Sequence, residues 1–104
     1  MNALTRLAIA AALAALTSPA AWANMELAQK RNCMACHAAE RKIVGPSFKE
    51  VAVKYAKDKK AEAYLAEKIV KGGKGVWGEI PMPGNPQVSP EEAKVLAKWI
   101  LAGK

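Results

Sequence analysis

Both cysteines and the only histidine of this chain fall within five consecutive residues, Cys33-Met34-Ala35-Cys36-His37. The C-x-x-C-H spacing is that of haem c attachment. On one helical turn, sulfurs three residues apart reach the two vinyl groups along one porphyrin edge. The next residue then sets its imidazole beneath the iron as the proximal ligand. Each thiol becomes a thioether and is lost to redox chemistry. Three other uses of the same residues compete. A C-x-x-C disulfide is open to an exported protein, but a thioredoxin-type site expects a βαβ context that the chain lacks. Zinc takes four ligands, and two cysteines with one histidine leave it short. Chance clustering would have to place all three scarce ligands in one pentapeptide.

With His37 used on one side, a sixth iron ligand cannot be a second histidine. Beyond the first 23 residues three methionines remain. Met34 lies inside the attachment turn, and Met25 stands eight residues before Cys33, about 12 Å away along a helix at that same edge. Met82 is 45 residues past His37 and sits between Pro81 and Pro83. Those prolines fix φ and remove donors, which makes a stiff strap able to hold a weak thioether bond. A loop methionine is otherwise ordinary packing. Ligation by His and Met with both faces filled suits electron transfer, raises the potential and leaves no open site for substrate.

The elements that must position these residues read as helices. No run alternates apolar and polar residues for long enough to predict a strand, while helical periodicity occurs four times. The first helix is predicted from Asn24, a good N-cap, into Cys33. The second carries an S-x-x-E capping box at Ser47 and Glu50, with Phe48, Val51, Ala52, Tyr55 and Ala56 on one stripe. The third spans about residues 60–71, with Ala61, Leu65 and Ile69 on one face and Gly72-Gly73 as its stop. The fourth opens Ser89-Pro90-Glu91-Glu92, an N-cap, a first-turn proline and acids facing the positive end of the dipole. Its apolar stripe is Ala93, Leu96, Ala97, Ile100 and Leu101. Between the last two helices, residues 72–88 form a Gly- and Pro-rich stretch. Trp77, Ile80 and Met82 make it too apolar for a solvated linker, so it is expected to fold against something.

The N-terminal stretch has a different purpose. One positive charge, the apolar run from Leu7 to Leu16 and the A-x-A form of Ala21-Trp22-Ala23 predict a secretory signal peptide over residues 1–23, cleaved after Ala23. Ten apolar residues are too few to span a membrane, which takes about 20. The domain is then residues 24–104. Loss of Arg6 takes the formal charge from +7 to +6, and the apolar share of 52% drops to about 46%, ordinary for a globular protein. Export argues against nucleic acid as a partner despite the basic balance. A domain of 81 residues has a thin core, and a cofactor is one way to staple it.

The mature chain resembles the small bacterial class I cytochromes c of the cytochrome c-551 family. The resemblance rests on Cys33-Met34-Ala35-Cys36-His37, Val44-Gly45-Pro46, Gly75-Val76-Trp77-Gly78, Ile80-Pro81-Met82-Pro83 and Ala97-Lys98-Trp99. It implies an all-α class I cytochrome c fold: four main helices around one covalently attached haem, with the first and last helices packed together. It also implies single roles. Pro46 would offer its carbonyl to the far ring nitrogen of His37, where the plainer reading is a turn proline. Trp77 would donate its indole N–H to a haem propionate, or be a plain core aromatic. Asn85 would hydrogen-bond the Met82 sulfur. The loop departs from the family here, with Gly84 where proline is commoner and Pro86-Gln87 as a one-residue lengthening. Phe48, Val51, Ile69 and Leu96 are expected to be core and haem-pocket packing.

The implied function is a periplasmic, monomeric one-electron carrier between a membrane quinol-oxidising complex and a terminal reductase, such as nitrite reductase, or an oxidase. It would not be an enzyme. Lys54, Lys57, Lys59, Lys60, Lys68, Lys71 and Lys74 are a solvated face, or a positive field that steers the protein onto acidic redox partners. Two rivals come from other classes. A haem enzyme or gas sensor with an open sixth position would expect a distal His or Arg, and a thiol–disulfide module would carry no haem.

Overall fold

The structure is a computed structural model that describes residues 20–103, with side chains from Asn24 onward. Four α-helices follow one another: α1 (Ala20–Lys30), α2 (Phe48–Lys54), α3 (Ala61–Lys71) and α4 (Pro90–Ala102). A single 3₁₀ turn, Cys33–Ala35, lies between α1 and α2. Among the described residues there is no strand, only the isolated backbone pairs His37–Lys42 and Gly73–Met82. No helix there is long and apolar enough to cross a membrane.

α4 is the organising element, packing against each of the other three and most extensively against α3. Its start is the best capped in the chain. Ser89 Oγ accepts from the Glu92 N–H, and the Glu92 carboxylate accepts from the Ser89 N–H, both at 3.1 Å. Pro90 occupies the first turn, and Gly103 closes the helix in the left-handed conformation. Ala93, Leu96 and Ala97 are fully or nearly fully buried, and Ala28 of α1 is fully buried against the same core. Small residues on both helices let α1 and α4 approach closely. Trp99 is buried as well, although the predicted stripe left it out. Ile100 and Leu101, placed on that stripe, are only half-buried. α4 therefore buries a broader arc than one stripe, because α2 covers part of its far side.

Three predicted boundaries shift. The helix expected to start at Asn24 already includes Ala20, the first described residue, and runs through Asn24, since good helix formers precede it in this chain. The signal segment otherwise lies outside the described residues. That same helix stops at Lys30 instead of entering Cys33, because Asn32 takes a left-handed conformation (φ 66°, ψ 19°) that turns the chain. α2 ends at Lys54, with Tyr55 as its cap and not as a helical member. Ser47 caps α2 by accepting from the Glu50 N–H at 3.0 Å, so the predicted box is made in that direction. α3 matches its prediction, with Lys60 at the cap position and Gly72 at the end.

Candidate functional site

The attachment pentapeptide folds as a tight turn that closes on itself. The N–H groups of Cys36 and His37 both donate to the Cys33 carbonyl, at 3.3 and 3.0 Å. The Cys36 carbonyl in turn accepts from Val44 (3.2 Å) and Gly45 (2.8 Å), which folds the Val44-Gly45-Pro46 segment back over His37. The outcome is one strong contact, His37 Nδ1 to the Pro46 carbonyl at 2.7 Å. A carbonyl only accepts, so Nδ1 carries the proton and the Nε2 lone pair is free for a metal. Pro46 itself is buried. Gly45 lies so close that a Cβ there would stand 2.5 Å from His37 Cε1, and only glycine fits.

Met82 is held by a different device. Its N–H donates to the Gly73 carbonyl at 2.7 Å, and its carbonyl accepts from the Gly73 N–H at 3.0 Å. This two-bond clamp seats the methionine against the C-terminal end of α3. Gly72, which ends that helix, has φ 77° and ψ −171°, and a Cβ there would collide with the Met82 carbonyl oxygen. The strap then stays on α3, because the Asn85 N–H donates to the Val70 carbonyl at 3.0 Å.

Asn85 holds the strap to α3. Its Nδ2 donates to the Ile69 carbonyl at 2.7 Å, and its Oδ1 accepts from Gln87 Nε2 at 3.1 Å. The bond to Ile69 uses one of the two N–H donors of the amide. Gln87 also donates to the Arg31 carbonyl at 3.1 Å, joining the strap to the residues just before Cys33. Arg31 Nη2 donates to Glu92 Oε2 at 2.8 Å, which ties that point to the cap of α4. The bond from Arg31 holds the Glu92 carboxyl below its ordinary range, helped by the Ser89 N–H.

Cys33, Cys36, His37 and Met82 all line one cleft, walled by apolar side chains that include Val51, Ile69, Leu96 and Ile100. Phe48 borders it too, stacked on the His37 ring with centroids 5.4 Å apart. Trp77 stands at the mouth and is 39% exposed, not a core aromatic. Lys54 Nζ lies 5.5 Å from its ring centroid and 5.9 Å from that of Tyr55, while Lys68 Nζ lies 5.4 Å from Tyr64. Tyr55 and Tyr64 face each other at 5.8 Å. Burial, then the neighbouring Tyr64 and Asp58, push the Tyr55 phenol up, so it stays a neutral donor at the cleft. Lys42, Lys68 and Lys74 line the cleft against one carboxylate, Glu79, so the charge balance of its lining is positive.

This donor set fits a flat, apolar, iron-bearing ring: two thiols on one short turn, one imidazole nitrogen freed for metal, one thioether on a braced strap. It fits the alternatives poorly. Burial pushes the Cys33 thiol up, whereas a redox C-x-x-C lowers its attacking thiol. No group of three or more His, Cys, Asp or Glu among the described residues could hold a metal ion by itself. What the sequence reading missed were the Gly73 clamp, the Gln87 bridge and the Tyr55–Tyr64 pair. Gly72-Gly73 carried a signal, but only as a helix stop.

A cytochrome c family model matches residues 25–104, and the chain belongs to that family. It is a small class I monohaem cytochrome c of the c-551 kind. Cytochrome c-552 of Nitrosomonas europaea is 53% identical over 94 residues, covering 90% of this chain and 91% of that protein. Cytochrome c-551 of Pseudomonas aeruginosa is 50% identical over 91 residues, covering 86% of each. The crystal structure of wild-type Nitrosomonas europaea cytochrome c552 superposes with a TM-score of 0.75 at 55% identity, covering 77% of this chain and 99% of that one. The cofactor is accordingly a covalently bound haem c with its iron, and the chain is an electron carrier with redox partners.

Proposed function

We propose that this protein is an exported, monomeric one-electron shuttle of the periplasm in which Cys33 and Cys36 form the haem thioethers and His37 and Met82 bind the iron on its two faces. The haem supplies a one-electron change between ferric and ferrous iron. The chain does no bond-making chemistry and is not an enzyme. Its residues hold the two ligands still. Pro46 keeps the proton on His37 Nδ1, Gly73 clamps the Met82 backbone, and the apolar walls exclude water. A site held in one geometry reorganises little when an electron arrives.

The observation that carries this reading is that the freed His37 Nε2 edge and the doubly clamped Met82 line the same cleft. With both faces filled, no position remains for substrate. Trp77 and the lysines at the mouth supply donors for the propionates, and Asn85 serves as the anchor of the strap. The same positive rim steers the carrier onto acidic partners, a membrane quinol-oxidising complex on one side and a terminal reductase or oxidase on the other. Residues 1–23 are the signal peptide, and the exported protein begins at Asn24. No nucleic acid is a partner.

The test is the optical spectrum, oxidised and reduced, of the native holoprotein and of Met82→Ala. A weak far-red sulfur-to-iron band in the native protein, lost in the variant, is the expected result. A native protein that lacks the band and binds carbon monoxide when reduced would instead be a sensor or enzyme with an open site. Raising ionic strength should slow electron transfer to an acidic partner, and a salt-independent rate would remove the steering.

A further inference from the structure

The hydrogen bond to Pro46 fixes where His37 Nδ1 points, but it leaves the ring free to tilt about the Nδ1···O line. Something else must set the plane of the imidazole, and the geometry points to Phe48: we propose that it is a positioning residue, stacked on His37 and braced from behind by Trp99, that sets the orientation of the imidazole plane. The inference rests on His37 being an iron ligand.

Phe48 is the first residue of α2, and that end of the helix is stitched to the chain just past His37. The Phe48 N–H donates to the Ala38 carbonyl at 2.9 Å, and the Lys49 N–H donates to the Ala39 carbonyl at 3.0 Å. The Phe48 ring therefore cannot drift away from the imidazole. The two rings are stacked, with centroids 5.4 Å apart and planes inclined by 24°. The chain also runs close past that imidazole at Gly45, where a Cβ would stand 2.5 Å from Cε1 and 2.9 Å from Nδ1.

Trp99 of α4 meets Phe48 edge-on, with centroids 5.4 Å apart and planes at 67°. It is only 7% exposed, so the indole packs as part of the core behind Phe48. It links α4, the best-anchored helix, to the ring that rests on His37.

An imidazole plane is a readable quantity. In low-spin ferric haem, the plane of an axial imidazole sets how its π orbital overlaps the iron d orbitals. The distribution of unpaired spin, and with it the order of the four haem methyl shifts in the proton NMR spectrum, follows that plane. A purely structural role for Phe48 would alter stability and leave the order alone.

The experiment compares ferric holoprotein spectra of the native chain, Phe48→Leu, Phe48→Tyr and Trp99→Phe, each with its far-red band recorded to show that Met82 is still bound. Phe48→Leu is expected to shift and reorder the methyl resonances, while Phe48→Tyr, which keeps a ring to stack, restores the native order. Trp99→Phe should move them the same way as Phe48→Leu but less. A native order in Phe48→Leu overturns the proposal. If that variant does not fold, an unmoved spectrum in Trp99→Phe overturns it instead. A native ferric protein whose spectrum shows no imidazole ring-proton resonances shifted by the iron removes the reading of His37 as a ligand, before any variant is compared.

Discussion

The two halves of the haem site are built in opposite ways. The His37 half is local: every contact that orients the imidazole, apart from the brace at Trp99, comes from residues 33–48. The Met82 half is assembled from a distance. Its anchors are Ile69, Val70 and Gly73 at the end of α3, with Arg31 reached through Gln87. The proposed ligation needs both residues held, yet each half can fail without the other. The local half is closed by short loops and costs little entropy to form. The distant half depends on contacts between segments far apart in the chain, and it is the one expected to open.

Gly72→Val should separate the halves most sharply. Its φ of 77° is closed to a branched residue, and the added Cβ would overlap the Met82 carbonyl oxygen. The expected loss is at least about 2–3 kcal/mol of stability, from strain and overlap together. Denaturant melts would show it, and the far-red band should vanish while the imidazole stays bound. Retention of that band at native strength would mean the strap does not need its clamp.

Gly45→Ala is the counterpart in the local half. A methyl 2.5 Å from His37 Cε1 must push the ring or the backbone aside, at about 1–3 kcal/mol. It should perturb the imidazole signals and spare the Met82 band. If both glycine variants gave one spectrum, the halves would not be independent.

Gln87→Ala tests the single bridge between them. Removing its bonds to Arg31 and Asn85 should cost about 1 kcal/mol, so an added imidazole should displace Met82 roughly fivefold more readily. An unchanged displacement rate would place the opening of the strap elsewhere.

The smallest effect concerns pH. Glu92 has its carboxyl lowered in the fold, so its contribution is present above the ordinary carboxylate range and is lost as pH falls through the lowered value. Glu92→Gln should therefore lose a little stability at neutral pH, converge with the native protein in acid, and so flatten the acid side of the profile slightly. A profile parallel to the native one would assign the acid sensitivity to other carboxylates.

Much of this molecule was legible residue by residue. The pentapeptide at Cys33 names its cofactor because three scarce ligands at fixed spacing have few other uses. The S-P-E-E start of α4, the stop at Gly72 and the stripe of α3 are local signals, and the structure realises each of them. The Pro46 carbonyl meets His37 Nδ1, a contact within reach because the two residues are only nine apart along the chain. What the sequence did not show is of another kind. The Asn85 amide bonds the carbonyl that the fold brings up, and α3 brings up that of Ile69. Trp99 falls off the stripe of α4 when the helix is read alone, and is buried because α2 closes over that flank.

Residue types and short spacings determined the chemistry of this protein: the haem, the candidate ligands, the helices and their caps. Tertiary structure decided how the ligands are held: the clamp of Gly73 on Met82, the bridge of Gln87 to Arg31, and the aromatic brace from Trp99 through Phe48 to His37. The division has a physical cause. Helix periodicity, capping and turn chemistry act within a few residues and are written in order along the chain. Hydrogen bonds and ring contacts between distant segments exist only after packing has chosen which backbone groups and which faces meet.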